Sequence, residues 1–448
     1  MVILRGKILQ SLLILWILMQ TGPLPCRCQC EEEGFYYCGI GQVNMTSDGA
    51  AKLRKLIDTL NEWTTIAIEK LIVSNSASGP FLQRIAPLTE QITFAAYRDP
   101  VFQIPEGNTI GEFDINGSGK LRSIVAGSTS HVQLLFVEDC LLDRLPPTLP
   151  KLEALQALSL TQCALTTVRL DMLAANLKLT YVDLSRNQIR QLIPVTSPPQ
   201  QTSAIASLIL TANRLERLDM AIFAFLPALQ MLDVRSNRIV HLDATASVTY
   251  RSLERLLLSA NLITTFDTRN ITLLKLSTLT VDDNALTDIP THWGTIPNLR
   301  VLGFDTNYLT RIDMSVFRSF PTLQGIYISG NRIQSIRTSS PVVLPMLELL
   351  IFEDNLITSV NLTGCDFANV TIMSFINNSL TTVPPVFQRL PKVRLSLLSN
   401  PLKCSNLASF KNRIADDRLH VSEDSDYAPC RTTSSISLGR NVTGCCNT

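Results

Sequence analysis

Residues Leu253 to Ile263 read LERLLLSANLI, with apolar residues at 253, 256 and 258, asparagine at 261 and an apolar residue again at 263. The phrase returns with its asparagine at 187, 213, 237, 284, 307, 331, 355, 378 and 400, and with cysteine in that slot at 140 and 163. Successive phrases stand 22 to 26 residues apart. Within each, alternate apolar residues make a short strand with one buried face. Leu256 and Leu258 point inward, and Arg255, Leu257 and Ser259 point outward. The asparagine stands where the chain turns, and it can bond backbone groups of that turn and of the next unit. One unit cannot bury its own apolar face, so stacked neighbours must supply the core.

A period this regular, in step with the apolar slots and the ladder residue, defines a leucine-rich repeat solenoid. The fold class is α/β: a horseshoe with a parallel concave β-sheet and disulfide-capped ends. The expected organisation is a signal peptide over 1–22, then an N-terminal cysteine-rich cap and short helix over 23–62. Repeats follow over 63–402, degenerate over 63–130 and regular over 131–402, and a C-terminal cysteine cap spans 403–448. The degenerate repeats are expected to centre on Ile68-Leu71-Val73, Phe94-Ala96 and Ile110-Phe113-Ile115. Amphipathic spacing of Leu53, Leu56, Ile57 and Leu60 predicts the helix over 48–62. A second helix is expected over 405–418. PVTSPPQQ at 194–201 reads as a surface loop, and Thr432–Ser437 and Asn441–Thr448 as mobile polar segments.

The first 22 residues carry Arg5 and Lys7, an apolar run from Ile8 to Met19, and Gln20-Thr-Gly22, the pattern of a cleaved secretory signal. A retained anchor is the competing reading, but the run is short for a span. No later segment reads as a membrane span. Removing Arg5 and Lys7 takes the 39 basic residues to 37, against 38 acidic ones. Such a balance argues against nucleic acid as a partner. The expectation is a secreted, extracellular protein. Asn-x-Ser/Thr sites at Asn44, Asn116, Asn270, Asn361, Asn369, Asn377 and Asn441 fit that compartment as glycosylation acceptors.

Cys26, Cys28, Cys30 and Cys38 precede the repeats, and Cys404, Cys430, Cys445 and Cys446 follow them. In a secreted chain these read as disulfides closing the solenoid ends. Zinc is the alternative, but the Cys-x-Cys-x-Cys steps are shorter than usual ligand gaps. Cys140 and Cys163 occupy adjacent ladder slots and read as buried thiols replacing asparagine, with a disulfide between them as the alternative. Cys365 belongs to neither group, and the total of 11 is odd.

Chemistry for catalysis is missing from this pattern. His131, His241, His292 and His420 share no metal spacing, and there is no nucleophile elbow, phosphate loop or zincin helix. Asp282 and Asp283 are adjacent on a strand edge and read as solvated surface rather than an acid–base pair. The expectation is a non-enzymatic binding protein with no cofactor and no metal. Outward positions of stacked strands form the surface available to a partner. Two positions before the ladder residue stand Glu138, Arg235, Asp282, Asp305 and Glu353, and one position before it stand Arg186, Asp283 and Asp354. Four positions before it stand Phe136, Ile209, Leu257, Tyr327 and Ile351, apolar for an exposed sheet, with Asp183 and Asp233 in the same column. Apolar groups among charges suit a protein ligand. The candidate partner-binding residues are therefore Phe136, Glu138, Asp183, Arg186, Asp233, Arg235, Leu257, Asp282, Asp283, Asp305, Tyr327, Glu353 and Asp354.

The signal peptide, the repeats from Val132 to Leu402, and the ending Asn400-Pro-Leu-Lys-Cys404, Cys430, Cys445-Cys446 resemble the secreted leucine-rich immune proteins of mosquitoes. A double cysteine after the repeats recurs in that family. The resemblance implies a haemolymph factor of innate immunity. Its partners would be complement-like thioester proteins or another leucine-rich repeat chain, disulfide-linked through Cys445 or Cys446. Better-known members continue into coiled coils, whereas this chain stops at Thr448 and looks like the coil-less branch. The alternatives are a matrix or adhesion protein and a soluble receptor-like ectodomain.

Overall fold

Each phrase contributes one short strand to a single sheet, and residue-for-residue parallel register follows from the repeat. Leu256 in the strand Arg255–Leu257 lies between Leu232 and Leu279 of its neighbours, and Leu257 between Asp233 and Thr280. The computed structural model describes residues 30–31, 37–44, 65–72, 78–195, 202–421, 434–439 and 442–446. The signal peptide, the 48–62 helix, Cys26, Cys28, Cys430, Asn441 and most of the 194–201 loop lie outside the described residues. The sheet has 18 strands. Its only antiparallel pair among the described residues joins Cys30–Glu31 to Tyr37–Asn44, with Cys30 opposite Cys38.

Inward residues of every repeat form one continuous core. Leu253, Leu256, Leu258 and Ile263 are 1% exposed or less, and the outer side adds Phe223, Phe317 and Phe320. Phe387 is only partly buried against that core. Short strands and 3-10 turns such as Met314–Ser319 make up the outer side, where proline and variable spacing exclude long helices.

The chain turns after each strand by one device. The residue before the ladder position is left-handed in every regular repeat. Its φ is 57° at Asp139, 56° at Arg186, 57° at Ala260, 52° at Asp283, 51° at Asp354 and 65° at Gly330. The ladder side chain then replaces the lost strand bonds. Asn261 Nδ2 donates to Val234 O at 3.0 Å and Leu258 O at 2.9 Å. Its Oδ1 accepts from the Ile239 N–H at 3.0 Å.

The N-terminal register departs from expectation. Ile92 and Phe94 pair with Phe113 and Ile115, and Ile66 and Ile68 with Ile92 and Phe94. Hence Ile110-Phe113-Ile115 is centred as predicted. The other two repeats centre on Ile92-Phe94 and Ile66-Ile68, earlier in the chain than expected. None of these repeats has a ladder asparagine to fix its register, and two of the slots hold Tyr97 and Ser118. Tyr97 Oη donates to Val101 O at 2.7 Å, and Ser118 Oγ to Glu138 O at 3.1 Å. Each hydroxyl bonds a carbonyl further along the chain, whereas the asparagine amides serve their own turn and the preceding repeat.

Cys140 and Cys163 are a disulfide, not free thiols, because stacked ladder slots bring their Cα atoms to 4.4 Å. Replacing both by serine is expected to cost about 3 kcal/mol, read as a shift in the urea unfolding midpoint. No shift would show that the loop it closes is already constrained. Cys404 bonds Cys446, so Cys446 is closed within the chain. Ser434–Gly439 and Val442–Cys446 pair as an antiparallel hairpin, where mobile segments were expected. The C-terminal helix is two short ones, Cys404–Ala408 and Lys411–Ala415.

Candidate binding surface

Three outward columns cross the concave sheet, at positions two, four and six before the ladder residue. The middle column runs, in register, through Leu257, Thr280, Gly303, Tyr327, Ile351 and Ser374. The column six before the ladder brings Val301, Gly325, Leu349 and Ile372 alongside. Ile372 is 43% exposed, and Val301, Tyr327, Leu349 and Ile351 are half-buried. Together they make one apolar patch. Two glycines shape it. A Cβ at Gly325 would stand 2.8 Å from the Tyr327 ring, so the missing side chain is what lets the ring fold over its own strand. A Cβ at Gly303 would stand 2.6 Å from Asp282 Oδ1.

Carboxylates border this patch, and they are held by backbone. Asp282 Oδ1 accepts from the Asp305 N–H at 3.0 Å, and Asp305 Oδ1 in turn accepts from the Ser329 N–H. Ser329 Oγ accepts from the Glu353 N–H at 3.2 Å, and Ser374 Oγ donates to Glu353 Oε1 at 2.6 Å. The column two before the ladder is thus a second side-chain ladder, beside that of the asparagines. Burial raises the Asp282 carboxyl to about 6, against the hydrogen bond from the Asp305 amide, and nearby Asp305 adds to the rise. Burial also raises Asp305, with Glu353 contributing.

A raised carboxyl pKa means that stability is greatest below 3.8 and is lost as pH rises through about 6. Asp282→Asn keeps the acceptor for the Asp305 amide and removes the ionisation. It should raise the melting temperature at pH 7 and leave it unchanged at pH 4. The gain, discounted for partial solvent screening, is about 1 kcal/mol. An equal gain at both pH values would assign the effect to packing instead.

The remaining candidates separate into distinct places. Asp283, Arg186 and Asp354 do not face out from strands; they sit in the left-handed turns beyond them, because the strands end earlier (Thr278–Thr280, Tyr181–Asp183, Leu349–Ile351). Asp354 accepts from Asn377 Nδ2 at 2.6 Å. Asp233 is buried and paired to Arg235, whose guanidinium approaches it at 2.6 Å. Burial works to raise that carboxyl, but the Arg235 and backbone hydrogen bonds prevail and hold it below the ordinary range. Asp183 accepts from the Ser185 amide at 2.9 Å.

Phe136 and Glu138 lie in the strand Leu134–Glu138, eight sheet steps or about 40 Å from Tyr327, and belong to no common site with it. Near them stands Asp114, which sequence reading missed. Burial raises its carboxyl to about 7, opposed by the Asn116 hydrogen bond and assisted by Glu112 and Glu138. Among the glycosylation candidates, Asn116 is half-buried on the concave sheet, Asn377 is exposed beside Asp354, and Asn270, Asn361 and Asn369 are exposed elsewhere. Asn44 lies in the strand Tyr37–Asn44.

Among the described residues no group of three or more His, Cys, Asp or Glu could hold a metal ion, and no helix is long and apolar enough to cross a membrane.

This architecture is that of a leucine-rich repeat solenoid, and residues 203–263 and 275–333 match the family model described as Leucine rich repeat. No curated protein matches the sequence. Solved structures share the fold. A leucine-rich repeat protein of Leptospira interrogans is 18% identical with a TM-score of 0.55, covering 79% of this chain and 89% of its own. A chain from the octameric complex of Latrophilin 3, Unc5D and FLRT2 is 22% identical with a TM-score of 0.51, covering 64% and 89%. The mosquito LRIM1/APL1C complex is more distant, at 14% identity and a TM-score of 0.46, covering 95% of this chain and 72% of that one.

Proposed function

We propose that this protein is a secreted, non-enzymatic leucine-rich repeat binding protein, an innate immune recognition or scaffold factor that holds a protein ligand on the C-terminal half of its concave sheet. The observation that carries the binding reading is the patch of Val301, Tyr327, Leu349, Ile351 and Ile372 beside the carboxylates of Asp282, Asp305 and Glu353. An apolar centre with a charged border is the anatomy of a protein interface, and this border calls for a partner with basic residues around an apolar centre.

The immune reading rests on the resemblance carried by the leader, the repeats and the terminal cysteine order. Its implied partner is a complement-like thioester protein or another leucine-rich repeat chain. With Cys446 bonded to Cys404, a disulfide-linked partner would attach at Cys445.

The test is capture from native extracellular fluid on the immobilised full chain, with and without an Ile351→Ser, Ile372→Ser double substitution, followed by identification of what is retained. A thioester protein held by the wild type alone supports the proposal. A matrix component or a developmental ligand would replace it with the adhesion or receptor reading, and retention by both chains would move the site off this face. Charge reversal at Asp282 or Asp305 is a poor probe, because it would also break the backbone bonds each makes.

A further inference from the structure

A second surface lies off the concave sheet, on the flank that follows the ladder asparagines. The residue after each asparagine from Asn187 to Asn378 is stacked repeat on repeat by backbone bonds. Ala285 N–H donates to Ile263 O at 3.1 Å, Tyr308 N–H to Leu286 O at 2.9 Å, Arg332 N–H to Leu309 O at 2.9 Å, and Leu356 N–H to Ile333 O at 3.0 Å. Over five consecutive repeats this column reads Leu262, Ala285, Tyr308, Arg332, Leu356. Leu262, Tyr308 and Leu356 are 52%, 46% and 49% exposed. At the usual spacing between strands the stripe is about 20 Å long. The Arg332 guanidinium lies 4.7 Å from the Tyr308 ring centroid. In the three repeats before it the same column holds Gln188, Arg214 and Arg238, and in the one after it Ser379, so polar residues bound the stripe at both ends. Isolated exposed leucines are ordinary, but large apolar side chains aligned in one column mark a contact.

We infer that this stripe is the contact between two copies of the chain, related by a two-fold axis passing beside Tyr308. The order leucine, alanine, tyrosine, arginine, leucine puts large apolar residues at both ends and the centre, where an isologous contact pairs them. With the stripes antiparallel, Tyr308 meets Tyr308 of the second copy, Leu262 meets Leu356, and Arg332 meets Ala285. Asp283 is exposed in the turn two residues before Ala285, so Arg332 of one copy comes beside Asp283 of the other, twice by symmetry. The parallel arrangement is disfavoured, because it sets Arg332 against Arg332. A stripe of this length is at the small end of specific interfaces, so the association is reversible and depends on concentration.

Sedimentation velocity of the full chain over a concentration series tests the contact, with covalent dimers scored separately by non-reducing electrophoresis. The wild type should pass from monomer to dimer as concentration rises, Tyr308→Ser and Leu262→Asp should remain monomeric, and Tyr327→Ala should behave as wild type. Oxidising a mixture of Leu262→Cys and Leu356→Cys chains should give a cross-linked dimer that neither variant gives alone. A wild type that is monomeric throughout, a dimer that survives Tyr308→Ser, or Leu262→Cys cross-linking to itself would each overturn the inference.

Discussion

Asn261→Ala is expected to destabilise the solenoid by about 4 kcal/mol, measured by urea unfolding, because it strips several buried backbone groups of their partners at once. The asparagine is 6% exposed. Its amide serves the carbonyls of Val234 and Leu258, and its oxygen serves the amide of Ile239. Each group left unpaired in a buried turn costs about 1 to 3 kcal/mol, less where water can reach it. The loss is not confined to one repeat, since Val234 and Ile239 belong to the repeat before. Asn261→Asp keeps an acceptor for the Ile239 amide but sets a carboxylate oxygen against the carbonyls of Val234 and Leu258, so at pH 7 it should be no more stable than Asn261→Ala. By contrast Leu257→Ala, four residues earlier on the outward face, should cost about 1 kcal/mol or less, because its side chain is already half in water. A loss at Asn261 no larger than that at Leu257 would mean that water replaces the amide in the turn.

The period made this part of the molecule legible. Apolar slots and a ladder residue in step give strand direction, register and inward face together, and those hold from Val132 to Leu402. The early repeats were less legible. Without a ladder asparagine the registers around Ile66-Ile68 and Ile92-Phe94 are shifted from the expected ones, whereas Ile110-Phe113-Ile115 keeps its place with Ser118 in the slot. Strand ends were also hidden. The position just before the ladder residue is out of step with the outward alternation and belongs to the left-handed turn, so Asp283, Arg186 and Asp354 do not continue the sheet's outward columns. The apolar patch was half visible. Leu257, Tyr327 and Ile351 stood out in one column, whereas Val301, Leu349 and Ile372 lie two residues earlier in their own strands, where the same alternation would have found them. The shaping role of Gly303 and Gly325 depends on the neighbouring side chains Asp282 and Tyr327, and no spacing rule shows that.

Tyr327→Ala is expected to weaken binding of the protein partner on the order of 100-fold, with the melting temperature nearly unchanged. Aromatic residues at the centre of an interface commonly cost 2 to 4 kcal/mol on truncation, while charged rim residues cost far less. Tyr327 has the central place. Its ring lies over Gly325 with Leu349 and Ile351 in the next strand, and the carboxylates of Asp305 and Glu353 stand along the edge. The hydroxyl lies over Gly325 with the ring edge, so Tyr327→Phe should retain most of the affinity if the ring face makes the contact. Asp283→Asn, exposed in its turn, should change affinity by less than about fivefold and act mainly through the association rate. The discriminating measurement is surface plasmon resonance against the captured partner at two salt concentrations. The tyrosine effect should reside in the dissociation rate and persist at high salt, whereas the effect of the rim acid should fade as charges are screened. Equal binding by Tyr327→Ala and wild type would exclude this patch as the centre of the interface, however strongly the acids along its edge attract a partner.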